Sequence, residues 1–436
     1  MSYIDDLQAA FDAHPEAADY RLNLSERRSI GVGIRDNDVG SVYSPFSFGQ
    51  GAGGSFLVQW RDGRLSRGNL DGNSLPIMTQ LLDNARQASY DDPDAAQFLG
   101  PQTITPVPLS SPDVPPLFEE RSGYLLEVVA QLQALAARFS AKTLNGGVDT
   151  SIGASWLRTS RGLALITEST SFSYSASFDG LIGEGMSQRT IALLEAVQAQ
   201  IELAGAYLEP LRTPAEDRGP ASGARMVVLH PDVAYSMFSA YVWGNLGGSA
   251  IFHGQSPFRS DDFRERRQVF RADLTVAIDP WQPLSPGSFM YTSEGIPSAP
   301  TTYIDRGRLV QPVLDLKYAR RLDMTATTPP GNEQSVRMHA DNEIDWSALQ
   351  PQLDDAILVL GVLGLHTQDR TSGNYSVSTS QALLIRDGAI RGRIKATLNG
   401  NFFDMLRDEA LQLVRFPGQH SPGFALPISV TIEPTG

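Results

Sequence analysis

The chain has 436 residues, of which 41% are hydrophobic and 19% charged, and its formal net charge at pH 7 is −14. This length and apolar content allow a sizeable core and exclude global disorder, while the acidic balance disfavours non-specific binding to nucleic acid or anionic membranes. The absence of cysteine excludes disulfides, thiolate zinc sites and thiol nucleophiles.

The N-terminal segment, residues 1–100, predicts an α+β unit that is rich in strands and has a helix at each end. Apolar residues at helical spacing predict helices over 4–13 and 75–88. Between them, segments 55–60 and 64–70 are strand-like and flank the turn sequence Arg61-Asp-Gly63, which predicts a β-hairpin.

Prolines and turn residues divide the rest of the chain. Residues 101–116 contain six prolines and predict an extended connector, because proline fixes φ and lacks a donor. Residues 117–212 predict a helix, two strands and a second helix over about 187–207, and we expect this region to pack with residues 1–100. Residues 213–224 have the composition of a linker.

The C-terminal domain, residues 225–436, predicts mainly antiparallel strands with a few helices. Turn sequences at Asp305-Arg-Gly307 and Asp387-Gly388 each separate two apolar segments and predict hairpins. Helices occur in blocks among the hairpins and do not alternate strictly with strands. The predicted fold class is therefore α+β, with a β-rich N-terminal α+β region followed by a strand-rich domain.

A glycine-rich segment, Gly49-Gln-Gly51-Ala-Gly53-Gly54, matches the letters of a dinucleotide-binding loop. That mechanism needs a helix N-terminus directly afterwards, to hold the pyrophosphate. Here the next residues, 56–60, predict a strand. We therefore interpret the segment as a flexible loop between strands.

The histidines are dispersed, and none forms the HxH, HxxxH or HExxH pattern of a local metal site. One segment combines histidine and carboxylates at alternate positions: His339, Asp341, Glu343 and Asp345. On a single strand these would share one face and offer nitrogen and oxygen ligands. The competing interpretation is a solvated acidic edge.

Several motifs of the C-terminal half occur in an order that resembles the TldD/PmbA family, whose members are long labelled modulators of DNA gyrase. The segments that carry the resemblance are Ser293-Glu-Gly-Ile-Pro297, Tyr303-Ile-Asp-Arg-Gly-Arg-Leu309, Thr371-Ser-Gly-Asn-Tyr-Ser-Val-Ser378, Ile385-Arg-Asp-Gly388-Ala-Ile390 and Ala396-Thr-Leu-Asn-Gly-Asn-Phe-Phe-Asp-Met-Leu406. In the middle region, Trp156 to Gly162 is similar to the family's N-S-x-G turn. The resemblance covers most of residues 225–436 and is weaker over 1–212.

The resemblance also implies where a metal site would lie. TldD-type chains carry HExxxH on a helix and a distal cysteine ligand. With these ligands they resemble zinc peptidases. Here Ser239 and Ala240 align with the first His and the Glu, Gly244 with the second His, and Val414 with the cysteine. The chain therefore resembles the PmbA/TldE type, which lacks the metal site, and no cofactor is expected in it; zinc is expected only in a TldD-type partner.

Three residues of the family-like segments are candidates for a peptide-binding cleft, namely Asn374, Ser376 and Asn399. In that interpretation an extended peptide adds to a sheet edge lined by their side chains. The alternative is ordinary turn chemistry, since Asn and Ser often bond their own loops.

Three functions remain open at this stage. The leading hypothesis is a non-catalytic PmbA/TldE-like subunit of a TldD-type zinc metallopeptidase assembly that processes peptides. The second is a peptidase or other hydrolase with a rebuilt site, so whether the chain is an enzyme stays open. The third is a peptide-binding scaffold without a protease partner. We expect a cytoplasmic protein that binds neither nucleic acid directly nor a membrane.

Assembly is suggested by one apolar helix. Residues 234–243 are rich in Tyr, Trp and Met, which is typical of buried helices and of subunit interfaces. We expect a homodimer, or a heterodimer with a TldD-type subunit, that buries more than about 1,000 Å² in total.

Overall fold

The computed structural model describes residues 3–42, 46–119, 123–191 and 194–433. The helices and strands of the N-terminal part are α1 (Tyr3–Ala13), β1 (Ala17–Arg35), β2 (Asp38–Val39), β3 (Phe46–Trp60), β4 (Leu65–Asp71), α2 (Met78–Gln87), α3 (Tyr124–Arg138), β5 (Leu144–Thr159), β6 (Ala164–Phe178), β7 (Ile182–Gln188) and α4 (Leu194–Arg212). Those up to the middle of the C-terminal part are β8 (Ser222–Leu229), α5 (Pro231–Phe238), a π-helical turn (Ser239–Trp243), α6 (Gly244–Leu246), α7 (Gly248–Phe252), α8 (Ser260–Arg264), β9 (Thr275–Ile278), β10 (Thr301–Asp305), β11 (Arg308–Leu309) and α9 (Leu316–Leu322). The remainder are β12 (Val336–His339), β13 (Glu343–Asp345), α10 (Trp346–Leu349), β14 (Ala356–Leu363), β15 (Asn374–Arg386), β16 (Ala389–Arg393), β17 (Ala396–Asn401), α11 (Phe402–Met405), β18 (Gln412–Arg415) and β19 (Gly423–Ile432).

One antiparallel sheet unites the strands before and after the proline-rich connector. Its order is β4-β3-β1-β5-β6-β7, with β2 beside β1. The central pair, β1 and β5, is in register from Arg21 opposite Thr159 to Ile34 opposite Gly146. Helices α1 and α2 cover one end of a sheet face, and α3 and α4 cover the other end.

The C-terminal domain is built around a barrel. Its largest sheet has the order β13-β18-β19-β17-β15-β14-β8, and β19 pairs a second time, with β8. This pairing closes β8, β14, β15, β17 and β19 into a barrel. Most pairs are antiparallel, and a smaller sheet of order β11-β10-β9-β12 lies beside it. The predicted α+β fold class is confirmed.

Buried polar contacts join the two parts. The Arg189 guanidinium, which follows β7, donates to the carbonyls of Ser285 and Ser288 at 3.0 and 2.9 Å and to that of Leu109 in the connector at 3.3 Å. On β1, Arg21 contacts Glu294 across the junction at 3.4 Å. Burial lowers the pKa of both guanidinium groups.

Four local predictions need correction. The glycine-rich segment 49–54 is not a loop, because it lies inside strand β3. Glycine is needed at position 54, since a Cβ there would collide with the Asn23 carbonyl on the paired strand. The predicted helix over 187–207 begins too early, since residues 187–188 end β7. Residues 222–224 of the predicted linker begin β8.

The fourth correction concerns the apolar helix. Tyr241 and Val242 are fully buried inside this chain, and Trp243 is 8% exposed. The aromatic residues Tyr241 and Trp243 therefore belong to the core of the C-terminal domain and do not form a subunit interface, while the predicted dimer stays a prediction. No helix among the described residues is long and apolar enough to cross a membrane.

Candidate functional site

The first part of the site is the π-helical turn that follows α5. The Gly244 N–H donates to the Ser239 carbonyl, five residues earlier, so the turn is one residue wider than an α-helix. This spacing brings Ser239 and Gly244 to the same side. Gly244 is exposed, and Ser239 and Ala240 are half-buried, while the opposite side carries the buried aromatic residues.

These residues do not fit zinc. The open side of the turn offers a hydroxyl, a methyl group and bare backbone, whereas zinc takes imidazole, thiolate or carboxylate. Val414 is fully buried on β18 and packs in a cluster with Trp346 and Phe416 that is separate from the cluster around α5. Over the part of the chain that the structure describes, no group of three or more His, Asp or Glu could hold a metal ion.

The second part is a polar patch on the barrel that brings together the three predicted cleft residues. Asn374 and Ser376 lie on β15, and Ser376 stands opposite Asn399 of β17. The Ser376 hydroxyl donates to Asn399 Oδ1 at 2.7 Å. Because side chains alternate along a strand, the intervening Tyr375 points into the core, and the polar residues stay on the outside.

Asn401 belongs to the same patch and was missed in the sequence. Its Nδ2 donates to Asn374 Oδ1 at 2.9 Å and to the Ser372 carbonyl at 2.8 Å. Its Oδ1 accepts from the backbone N–H groups of Phe403 and Asp404, so it caps α11. An Asn directly before an apolar run is a helix-start signal that would have identified it.

Direct contacts connect the turn to the patch. The Tyr241 hydroxyl donates to the Asn374 carbonyl at 3.2 Å, and burial raises the pKa of this phenol to about 12. The Tyr241 ring stacks on Phe402 with centroids 5.2 Å apart. Buried Asn245 donates to the Arg370 carbonyl at 2.8 Å. The π-helical turn and the polar patch are therefore one continuous structural unit.

The alternative site at His339 is only partly assembled. The predicted single strand is interrupted, because β12 ends at His339 and β13 begins at Glu343. His339 Nδ1 lies 2.6 Å from Glu343 Oε1, but the other carboxylate oxygen of Glu343 accepts from Arg415 at 2.7 and 2.9 Å. Asp341 and Asp345 are exposed, and the alternating ligand face does not form.

The domain that carries this candidate site is similar to a known family of domains. Residues 222–415 match the PmbA/TldA metallopeptidase C-terminal domain. These residues form a domain of the PmbA/TldD family. The resemblance drawn from the sequence is therefore confirmed, and the matched residues, 222–415, are metallopeptidase-like at the level of their family.

Similar proteins and solved structures cover most of this chain. An uncharacterized protein of Methanocaldococcus jannaschii is 22% identical over 390 residues, which cover 87% of this chain and 88% of that protein. A structure described as a modulator of DNA gyrase from Bacteroides thetaiotaomicron is 15% identical, covers 99% of both chains and has a TM-score of 0.80. TldE from Thermococcus kodakarensis is 17% identical, covers 98% of both chains and has a TM-score of 0.77. At these identities the two structures show a shared fold.

Another family-like segment, residues 293–297, lies at the junction between the N-terminal sheet and the C-terminal domain. Glu294 accepts from the Leu316 N–H at 2.8 Å and contacts Arg21 of β1. Gly295 adopts φ of +89°, which glycine accommodates readily. This turn therefore orients the N-terminal sheet against the barrel.

Proposed function

We propose that this chain is a non-catalytic, PmbA/TldE-like subunit of a zinc metallopeptidase assembly, in which a TldD-type partner supplies the metal. One observation carries the proposal. The helix that aligns with the family's ligand helix contains a π-helical turn, and the open side of that turn bears Ser239, Ala240 and Gly244. These residues cannot bind zinc, but they leave room for a neighbouring chain or a substrate.

The polar patch supports a role in holding peptide. An extended peptide presents backbone donors and acceptors at regular intervals, and carboxamide and hydroxyl side chains can pair with both. Asn374, Ser376, Asn399 and Asn401 form a row of such groups on two adjacent strands. Their mutual hydrogen bonds hold the row in a fixed geometry, which lowers the entropy lost when a ligand binds.

The first experiment measures metal and assembly together. The purified chain alone should contain far less than one zinc per molecule by elemental analysis. When it is mixed with a TldD-type chain, light scattering should detect a heterodimer, and elemental analysis should find about one zinc in it. Peptide cleavage should require the partner's HExxxH. Stoichiometric zinc in this chain alone, or cleavage without the partner's motif, would contradict the proposal.

A second experiment tests whether the open side of the turn faces the catalytic space. A Cβ at Gly244 would approach only the Ser239 carbonyl, at 3.9 Å, so Gly244→Leu should fold normally. We expect the assembly to form but to cleave peptide at least tenfold more slowly. Ser249→Leu, at an exposed position in α7, is the matched control and should leave cleavage unchanged.

A further inference from the structure

A charged band crosses the helix-covered face of the N-terminal sheet. Along β1, alternate residues on this face are apolar at both ends, from Tyr20 to Leu24 and from Ile30 to Ile34, but Glu26 and Arg28 interrupt them. The two apolar stretches belong to separate hydrophobic clusters, under α1 and α2 and under α3 and α4. The band therefore lies between the two clusters, where Glu26 is exposed and Arg28 is half-buried.

The neighbouring strands leave space beside these charges. Ala154 of β5 stands between Glu26 of β1 and Glu168 of β6, and Ala52 of β3 flanks Glu26 on its other side. A cavity of about 600 Å³ lies here, bounded by Tyr3 of α1 and by the connector. Small residues on the floor and carboxylates at the sides make a cleft that is both roomy and charged.

The charges have a definite arrangement. Two strand spacings separate Glu26 from Glu168, roughly 10 Å between Cα atoms, so the two side chains can converge above Ala154. Arg28 is two residues along β1, roughly 7 Å away, and its guanidinium lies 5.4 Å from the centre of the Phe118 ring. Arg27 points to the other face and contacts Asp149 at 3.4 Å. The cleft thus has a doubly acidic end and a basic end.

We infer that this cleft binds a basic amino-acid residue with a free carboxylate, either as the free amino acid or as the C-terminal residue of a peptide. The cationic side chain lies between Glu26 and Glu168 above Ala154, and the carboxylate pairs with Arg28. The two carboxylates complement a cation and Arg28 complements a carboxylate, so this arrangement favours a ligand that carries both groups. This inference goes beyond the proposed function, because the cleft lies outside the barrel and its test needs no partner.

The test is calorimetric titration of the full chain with four probes at low salt. They are free L-arginine, acetyl-Ala-Ala-Arg, the amide of that peptide, and acetyl-Ala-Ala-citrulline, which has the shape of the arginine peptide without its charge. We expect the arginine peptide to bind at least tenfold more tightly than the citrulline peptide and more tightly than its own amide. Comparison of free arginine with the peptide distinguishes the two sources of the ligand.

Variants assign the binding to the cleft. Glu26→Gln combined with Glu168→Gln should weaken binding of the arginine peptide at least tenfold, and Arg28→Gln should remove the preference for the free carboxylate over the amide. Ala154→Leu fills the floor and should also abolish binding. Glu409→Gln, at an exposed position in the C-terminal domain, is the control.

Three results would overturn the inference: no binding of any arginine probe at millimolar concentration, equal binding of the citrulline peptide, or full binding by the double glutamine variant. Thermal unfolding of each variant separates a lost site from a lost fold. Failure here would leave the partner-dependent cleavage intact, so the two proposals fail separately.

Discussion

The two parts of the molecule bury their apolar residues in different ways. In the barrel, closure of β19 onto β8 removes the sheet edges, and one continuous cluster unites α5, the π-helical turn and the inner face of the strands. The N-terminal sheet stays open, and its covered face carries two clusters with charges between them. The apolar cluster of the closed sheet is thus continuous, whereas the open sheet has a polar gap between the clusters under its two pairs of helices.

The largest expected effect is in the barrel. Phe402 is fully buried, stacks on Tyr241 and contacts the tilted ring of Phe424, so Phe402→Ala should lower the free energy of unfolding by about 3–5 kcal/mol. Phe48→Ala, at a residue of β3 that is 65% exposed, should change it by less than about 0.5 kcal/mol. Chemical denaturation measures both. Similar losses at the two sites would erase the contrast between the two parts.

The next effect concerns the junction. Arg189→Gln removes charge-assisted bonds to three carbonyls and should cost about 2 kcal/mol. Arg138→Gln is the control, because its guanidinium is 52% exposed and pairs with Glu202 at the surface. We expect limited proteolysis to cut the connector faster in the first variant only. Equal cleavage rates would mean that Arg189 does not hold the two parts together.

A smaller effect is expected at the polar patch. Asn401→Ala removes a helix cap and two side-chain bonds and should cost about 1–2 kcal/mol. Asn401→Asp keeps the cap acceptor but loses the donors to Ser372 and Asn374, so its loss should be smaller. If the Asp variant were as unstable as the Ala variant, the donors would matter more than the cap.

The smallest expected effect is a pH dependence of the free energy of unfolding, and it arises at a cavity on the junction between the two parts. A cavity of about 420 Å³ separates the end of β7 from the C-terminal domain and is lined by Asp232, Glu333 and His420. Burial and, as a smaller contribution, the charge of Asp232 raise the pKa of Glu184 to about 8 and that of Glu333 to about 7. The unfolded carboxyls ionise near 4.5, so the folded state holds more protons between about pH 5 and 8.

The direction of the pH dependence follows from this difference in bound protons. Stability contributed by these two groups falls as pH rises through that window, because ionisation inside the cavity is unfavourable. Glu184→Gln with Glu333→Gln should therefore raise the midpoint of thermal unfolding relative to wild type more at pH 8 than at pH 5, by about 2 °C. The control Glu409→Gln should shift the midpoint of thermal unfolding equally at pH 5 and at pH 8. A constant difference between double variant and wild type would contradict the expectation.

Local patterns predicted the elements whose signals are strong. The spacing of Ile4, Leu7 and Phe11 predicted α1, and all three side chains are buried. The hairpin at Asp387-Gly388 forms because both turn residues adopt positive φ. Strand β7 was missed, since Ile182–Gln188 alternates glycine with other residues and is held by pairing with β6.

The site was predictable in part for a similar reason. Asn374, Ser376 and Asn399 were found because family-like motifs mark them, whereas Asn401 acts through a cap that only the start of α11 reveals. The cleft of Glu26 and Arg28 could not be predicted. Its residues come from strands more than a hundred positions apart, and only the register of β1, β5 and β6 brings them side by side.

The pairing of β19 with β8 brings the two ends of the C-terminal domain close together. Thr431 lies opposite Ser222, so the first and last strands of the barrel are neighbours, and the ends of residues 222–433 emerge side by side. A unit with adjacent ends can be inserted into another chain, or circularly permuted, without stretching a connection. The region that matches the family stops at residue 415, before β19. A fragment ended there would lack the strand that closes the barrel, so the structural unit includes β19.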